Sequence, residues 1–334
     1  MKYLVVGGGS MGKRRIRCLL ANNVQPQQIR MVDVRPDRQA EVKSKHDVDS
    51  LSDLAAGLNW GPDAVVISVP GAAHMEVALA AARAKKHFFC EVPLSLNLEG
   101  VPELKELAEK HKLVIAPGCQ PPMHPLFKQV KQWIEEPTFG KPLCVLAEFG
   151  QYLPDWHPYE DYRKFYAADQ KMGGGNLDVI AQELAMLYWM LGDRAVELHA
   201  AGAKVSTLEI NANDVWDISV GLSKGTRMAL HCDLIQRIGR NILRFISESG
   251  TVELSMVEGT VRRFLISTRQ WEVRTLPQGY VYEQCYIDEI GQFIQCIEGK
   301  AQWYNPLPTA VEVVKFLMAM QQSVQSKSTV KIER

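Results

Sequence analysis

Over the first 120 residues, short and nearly continuous apolar runs alternate with stretches of helical period. Residues 3–6, Tyr3-Leu4-Val5-Val6, form the first run, and residues 30–32, 63–69, 87–90 and 113–116 form the later ones. Apolar runs without a polar face are those of strands covered on both sides. Helical patterns separate them over residues 11–21, 75–84 and 103–110, while a polar segment and a short helix over residues 50–57 fill the gap after the second run. Strand and helix in strict alternation predict a doubly wound parallel sheet.

The pattern changes near Lys141. After a helix over residues 127–136 come segments of alternating polarity at 143–149, 197–203, 214–222, 227–234, 243–248, 252–256, 261–266 and 270–275. Consecutive strands of this kind predict a large open, mainly antiparallel sheet. One helix, residues 176–191, interrupts them behind Gly173-Gly174-Gly175, with Leu177, Ile180, Leu184, Leu187 and Leu191 at helical spacing and Tyr188-Trp189 read as packing. Two last helices, residues 286–296 and 310–325, are expected to return to the first domain. The expected division is an α/β chain with residues 1–120 as one domain and 121–334 as the other.

The first strand runs into Gly7-Gly8-Gly9-Ser10-Met11-Gly12, which fits G-x-G-x-x-G at Gly7, Gly9 and Gly12. One glycine makes the tight turn, the next admits a pyrophosphate against the backbone, and the third brings the helix close to the strand. The helix that follows Ser10, from about Met11, would aim its amides at the phosphates. Asp33 ends the second strand, where a carboxylate accepts hydrogen bonds from a ribose diol. Strand, turn, helix, strand and acid in this order predict a Rossmann dinucleotide site. Asp33 opposes a 2′-phosphate and so favours NAD, but Arg35 and Arg38 behind it offset the repulsion and keep NADP possible. Ligands of such sheets sit beyond the carboxyl ends of the strands, which adds Val69, Pro70, His74, Glu91 and Pro93 to the cofactor set. Lys13-Arg14-Arg15 reads equally as charge lent to the pyrophosphate and as a solvated basic face.

Composition narrows the partners. The 334 residues are 46% hydrophobic and 23% charged, with 38 basic against 38 acidic side chains, so no net charge points to nucleic acid or an anionic membrane. No apolar run is long enough for a bilayer helix, and Met1 leads straight into a strand, so a cytoplasmic protein is expected. Seven cysteines without a C-x-x-C pair read as free, mostly buried thiols, and no metal is expected.

Several motifs carry a resemblance: the glycine turn, Asp63-Ala64-Val65-Val66-Ile67 ending in Pro70 with His74 beyond, and Lys86-His87-Phe88-Phe89-Cys90-Glu91-Val92-Pro93-Leu94. Gly140-Lys141-Pro142, Gly173 to Gly175 ahead of Leu177-Asp178, and Trp189-Met190-Leu191-Gly192 extend it over nearly the whole chain. In these the sequence resembles the glucose-fructose oxidoreductase, inositol dehydrogenase and MocA family. The resemblance implies an N-terminal Rossmann domain, a C-terminal open-sheet domain, and hydride transfer between a nicotinamide cofactor and a sugar, cyclitol or nucleotide-sugar hydroxyl. It implies a homodimer or homotetramer formed through the C-terminal sheet. The segment 152–163 looks most like members of sialic-acid-like and surface-polysaccharide sugar pathways.

The chain departs from that family where protons move. The family lysine between Glu and Pro is Val92, its catalytic histidine aligns with Gln182, and Ala185 stands where a second acid is usual. Neither valine nor glutamine changes protonation state, and losing a positioned acid or base costs about 10²- to 10⁴-fold in rate. Substitute candidates are His157, Lys171, Asp178, Glu183, Tyr162 and Glu91. Asp178 and Gln182 lie one turn apart on one helix face, and Glu183 is rotated away from it. Gln120, Trp156, His157, Tyr162 and Arg163 are the expected substrate contacts, with Gln120 keeping an amide role and an arginine of the family absent. The resemblance also suggests a cis Val92-Pro93 bond. Three readings stay open: a dehydrogenase with a substitute base, a dinucleotide-holding pseudoenzyme serving as partner subunit or sensor, and an epimerisation or elimination through transient oxidation.

Overall fold

A computed structural model describes residues 1–158 and 160–333. The chain divides into two compact units, Met1–Gln120 with Tyr282–Val314, and Pro121–Val281 with Lys315–Arg334.

The first unit opens with β1 (Tyr3–Val6), α1 (Ser10–Ala21), β2 (Ile29–Val32), α2 (Pro36–His46), β3 (Asp49–Leu51) and α3 (Leu54–Asn59). It continues with β4 (Ala64–Ile67), α4 (His74–Arg83), β5 (His87–Cys90), α5 (Val101–His111) and β6 (Ile115–Pro117). The six strands pair in parallel in the order β3-β2-β1-β4-β5-β6. Chain order reverses between β1 and β4, which is where such sheets bind ligands. Leu4, Val65, Ile67, Phe88 and Cys90 are fully buried, as the continuous apolar runs required.

The expected helix over residues 50–57 is corrected. Residues 49–51 pair in parallel with Arg30–Val32, and helix begins only after Asp53, whose carboxylate accepts the Ala56 amide at 2.8 Å. The polar segment before it is helix α2, which buries Val42 alone among its residues. A helix with so narrow an apolar stripe carries no readable period.

The second unit contains α6 (Pro125–Glu135), β7 (Cys144–Gly150), α7 (Leu153–Trp156), α8 (Leu177–Leu191), β8 (Ala195–Ala203), β9 (Val215–Leu222) and β10 (Arg227–Asp233). There follow β11 (Arg240–Ile246), β12 (Gly250–Ser255), β13 (Thr260–Leu265) and β14 (Gln270–Thr275); α9 (Glu283–Ile297) then belongs to the first unit, α10 (Leu307–Ser326) begins in the first and ends in the second, and β15 (Val330–Lys331) belongs to the second. Nine strands form one sheet in the order β14-β13-β12-β11-β7-β10-β9-β8-β15. Every neighbouring pair is antiparallel except β7 with β10. One face buries Val145, Ala147, Leu230, Ile218 and Phe245, while Leu146, Ala229, Ser219 and Arg244 alternate with them and stand exposed. Two-residue β15, which pairs with β8, is too short to show a period and was not foreseen.

Candidate functional site

The cofactor half is built on β1, the glycine turn and α1. Gly7 has φ +100°, and a Cβ there would lie 2.4 Å from the Ser68 carbonyl oxygen. A Cβ on Gly12 would lie 1.8 Å from the Gly7 carbonyl oxygen, so helix and turn close only without side chains. Gly9 differs, since a Cβ there would meet only Arg38 Nη1, at 3.8 Å. Gly9 also caps α1 without a side-chain hydrogen bond to its first amides. Open space before uncapped amides suits an anion.

Asp33 is 7% exposed and fastened to that turn. Its Oδ2 accepts the Gly8 amide at 2.6 Å and its Oδ1 the Arg35 amide at 2.8 Å, with Arg38 Nη1 at 3.5 Å from Oδ2. The Arg35 side chain instead forms a two-pronged pair with Asp37. Glycines, open α1 terminus and carboxylate together fit a dinucleotide.

At the neighbouring strand ends, buried His74 ties two turns together. Its Nε2 lies 2.8 Å from the Val69 carbonyl oxygen and its Nδ1 2.6 Å from that of Pro93, and the Val92-Pro93 bond is cis. A neutral ring donates to one of these carbonyls only, so which bond is the donor follows the tautomer. Glu91 is held by Arg15 through Nε–Oε1 at 2.6 Å and Nη2–Oε2 at 3.1 Å.

Arg15 overturns both readings of the basic triplet. It is fully buried, places Nη1 2.7 Å from Glu289 Oε2 on α9, and lies over the Phe89 ring at 4.4 Å. Lys13 pairs with Glu41 and Arg14 with Glu283. Burial pushes the Glu289 carboxyl up, against the pull of Arg15. Glu289 also accepts the Cys119 amide at 2.7 Å and the Tyr304 hydroxyl at 2.9 Å. Gln120, expected as a substrate amide, is buried and donates to the Tyr286 hydroxyl at 3.2 Å.

The second unit collects aromatic rings around the start of α8. Three 3-10 turns, Tyr162–Lys164, Tyr166–Ala168 and Gln170–Met172, lead into it. Phe165 packs at steep angles against His157 at 4.8 Å and Trp156 at 6.3 Å, and it packs on Tyr166 at 4.5 Å. Tyr166 donates its hydroxyl to Asp178 Oδ2. Gln182, one turn along α8, is half-buried and hydrogen-bonds the Glu183 carboxyl. Glu183 itself is 3% exposed, and burial pushes its carboxyl up to about 8.

The other candidates are dispersed. Tyr162 accepts the Glu209 amide at 3.2 Å, Arg163 is exposed between Asp161 and Glu209, and Lys171 is exposed in the last 3-10 turn. Tyr159, within the segment 152–163, lies outside the described residues. Three groups escaped the sequence reading. Tyr166 sits in irregular turns with no periodic signal, the Arg15–Glu289 contact spans two distant helices, and His231 bridges Asp217 at 2.8 Å and Asp233 at 3.1 Å across strands. Among the described residues no cluster suits a metal ion, and no helix is long and apolar enough to cross a membrane.

Comparison with known proteins agrees with this geometry. A family model described as an oxidoreductase family with an NAD-binding Rossmann fold matches residues 1–119, and the GFO/IDH/MocA C-terminal domain model matches residues 127–253. Myo-inositol 2-dehydrogenase of Thermotoga maritima is 33% identical over 186 residues, covering 55% of this chain and 53% of that protein. The match thus spans about half the length of that relative. Levoglucosan dehydrogenase, solved with NADH and levoglucosan, superposes with a TM-score of 0.88 at 18% identity over 100% of both chains. An NAD binding oxidoreductase from Klebsiella pneumoniae superposes with a TM-score of 0.85 at 17% identity, covering 100% of this chain and 99% of that one. With family models matching both halves of its sequence, the chain belongs to the GFO/IDH/MocA oxidoreductase family and carries that family's NAD-binding Rossmann domain.

Proposed function

We propose that the protein is an NAD-dependent dehydrogenase acting on a hydroxyl of a sugar, cyclitol or nucleotide sugar. The observation that carries this reading is the glycine turn fastened to Asp33, with an open, uncapped α1 terminus beside it. The bound nicotinamide dinucleotide supplies a two-electron hydride acceptor. Gly7, Gly9, Ser10, Met11 and Gly12 would hold its pyrophosphate, and Asp33 its adenosine ribose. Val69, Pro70, His74, Glu91 and Pro93 would shape the nicotinamide end. Arg38 beside Asp33 leaves room for NADP as a weaker ligand, because a guanidinium there can meet a 2′-phosphate.

The substrate side of the reading rests on the second unit. Trp156, His157, Phe165 and Tyr166 offer ring faces and edges of the sort that line carbohydrate pockets, and Asp178 and Gln182 offer polar groups. Relatives include myo-inositol and levoglucosan dehydrogenases, which makes a ring-borne secondary hydroxyl the first substrate class to try. A sugar of the sialic-acid-like or surface-polysaccharide type is the narrower proposal, supported by the sequence of residues 152–163. Assembly into a homodimer or homotetramer through the exposed sheet face carrying Leu146, Ala229 and Arg244 is part of the same reading.

A second reading is favoured by Val92 and Gln182, which stand where the family resemblance places a lysine and a histidine and which cannot change protonation state near neutral pH. On that reading the protein binds the dinucleotide and serves as a partner subunit or sensor. NADH and NADPH titrations by nicotinamide fluorescence, followed by turnover on a polyol panel, separate the two. Binding with turnover supports the dehydrogenase, and binding without turnover on any polyol supports the pseudoenzyme.

A further inference from the structure

The dehydrogenase reading leaves a proton without a carrier. Oxidising a secondary alcohol breaks an O–H bond as well as a C–H bond, and a positioned group must take that proton as the hydride leaves. Gln182 cannot take it. His157 can, but its ring packs against Phe165 at 4.8 Å. Lys171 is exposed on a turn. Glu183 is buried and is held protonated at neutral pH, so it is no base.

Tyr166 and Asp178 are arranged differently. Both residues are half-buried, with the Asp178 Oδ1 atom itself buried. The phenol hydroxyl points its proton at Asp178 Oδ2, in the first turn of α8. Asp178 and Gln182 share a helix face, so the pair lies where the sequence places the family's chemistry. Phe165 packs on the Tyr166 ring and fixes its plane. A phenol backed by a carboxylate passes a proton through itself: it accepts one on oxygen while releasing its own.

We propose that Tyr166 is the catalytic proton carrier of this enzyme and that Asp178, acting through it, is the positioning residue that receives the proton. The inference rests on the dehydrogenase reading. In the oxidising direction the substrate O–H bond breaks and its proton goes to Tyr166 Oη, while the Tyr166 proton moves to Asp178 Oδ2. A bound oxidised nicotinamide dinucleotide would supply the acceptor for the C–H electron pair as the carbon–oxygen bond becomes double. Asp178 then returns one proton to solvent. In reduction each transfer runs backwards.

Two groups near Asp178 stay neutral at neutral pH. Glu183 behind it stays neutral, and the Cys232 thiol on β10, which also feels Asp178 and Glu183, is pushed up by its burial and stays neutral too. Asp217 and Asp233 also act on Cys232, and His231 bridges those two. Asp178 must be ionised to receive the proton, so kcat/KM for oxidation rises with pH through its ionisation. A hydrogen bond that only fastens the first turn of α8 gives no such limb.

The test compares wild type, Tyr166→Phe and Asp178→Asn as full-length proteins, with myo-inositol and levoglucosan as the polyols. Turnover is read by reduced-cofactor absorbance across pH, NADH affinity by fluorescence, and folding by melting temperature. The inference expects Tyr166→Phe to lose about 10²- to 10⁴-fold in kcat with NADH affinity unchanged. It expects Asp178→Asn to melt near wild type and to lose the acid limb of the kcat/KM profile. Wild-type turnover that survives Tyr166→Phe within about tenfold, or an acid limb that survives Asp178→Asn, overturns the inference and leaves the dehydrogenase standing. Wild type that binds NADH and oxidises neither these polyols nor a nucleotide-sugar panel overturns the dehydrogenase reading, and the inference with it.

Discussion

Glu183 shows what one residue's surroundings do to its chemistry. The unfolded chain releases its proton in the ordinary carboxyl range, whereas the folded chain holds it up to about 8 because the charged form is desolvated. Between those values the unfolded state binds fewer protons, so stability is full at acid pH and falls as pH rises through the window. Glu183→Gln, which cannot ionise, is expected to remove that slope, worth on the order of 5 kcal/mol across the window, from urea-melt stabilities compared at acid and mildly alkaline pH. An unchanged slope would assign the pH dependence elsewhere. His124 works in the opposite sense. Burial lowers its imidazole to about 4, so the unfolded chain protonates first and stability drops as pH falls below the ordinary histidine range. Helical spacing alone told Glu183 apart from the Asp178–Gln182 face, since it fixes direction. It said nothing of how deeply Glu183 is buried, nor that Tyr166, from an irregular turn, reaches Asp178.

At the scale of elements, α1 is organised by two constraints, one legible and one not. The glycine spacing announced the close approach of α1 to the turn, and the 1.8 Å meeting of a Gly12 Cβ with the Gly7 carbonyl explains why no side chain fits. Gly12→Ala is therefore expected to weaken NADH binding by tenfold or more in a fluorescence titration, by about 1.4 kcal/mol or beyond. The other constraint is Arg15, about one turn on from Gly12 and buried between Glu91 and Glu289. An arginine inside a basic triplet looks solvated in sequence, and only the α1–α9 packing reveals its partners. Arg15→Met strands a buried carboxylate and is expected to cost about 3–5 kcal/mol in chemical denaturation, with Arg15→Lys intermediate. A loss below about 1 kcal/mol would show the cluster to be solvated. Helix α2 and strand β3 were illegible for the contrary reason, one being nearly all polar and the other only three residues long.

For the whole molecule, the change from continuous apolar runs to alternating ones located the change from parallel to mainly antiparallel sheet, because period two is set by which faces are covered. Strand order was not legible, and the parallel pairing of β7 with β10 inside an otherwise antiparallel sheet has no local signature. That pairing brings Glu148, His231 and Asp217 into one row on the outward face. Burial pulls the His231 imidazole down, and its hydrogen bonds to Asp217 and Asp233 overcome this and leave it raised. Its contribution to stability is therefore complete below the ordinary histidine range and is lost as pH rises through the raised value. Binding of the cofactor to the folded chain alone stabilises it by about 2.7 kcal/mol at a hundred times Kd, so NADH is expected to raise the melting temperature and Gly12→Ala to blunt that rise.

The measurement that bears most directly on the account is the reduction of NAD by purified protein in the presence of cyclitols, anhydrosugars and nucleotide sugars, followed by absorbance. Steady formation of NADH is expected with at least one of these polyols, and none without polyol. A protein that binds NADH in the same buffer yet forms none with any of them would contradict it, and would make the chain a dinucleotide-binding subunit or sensor.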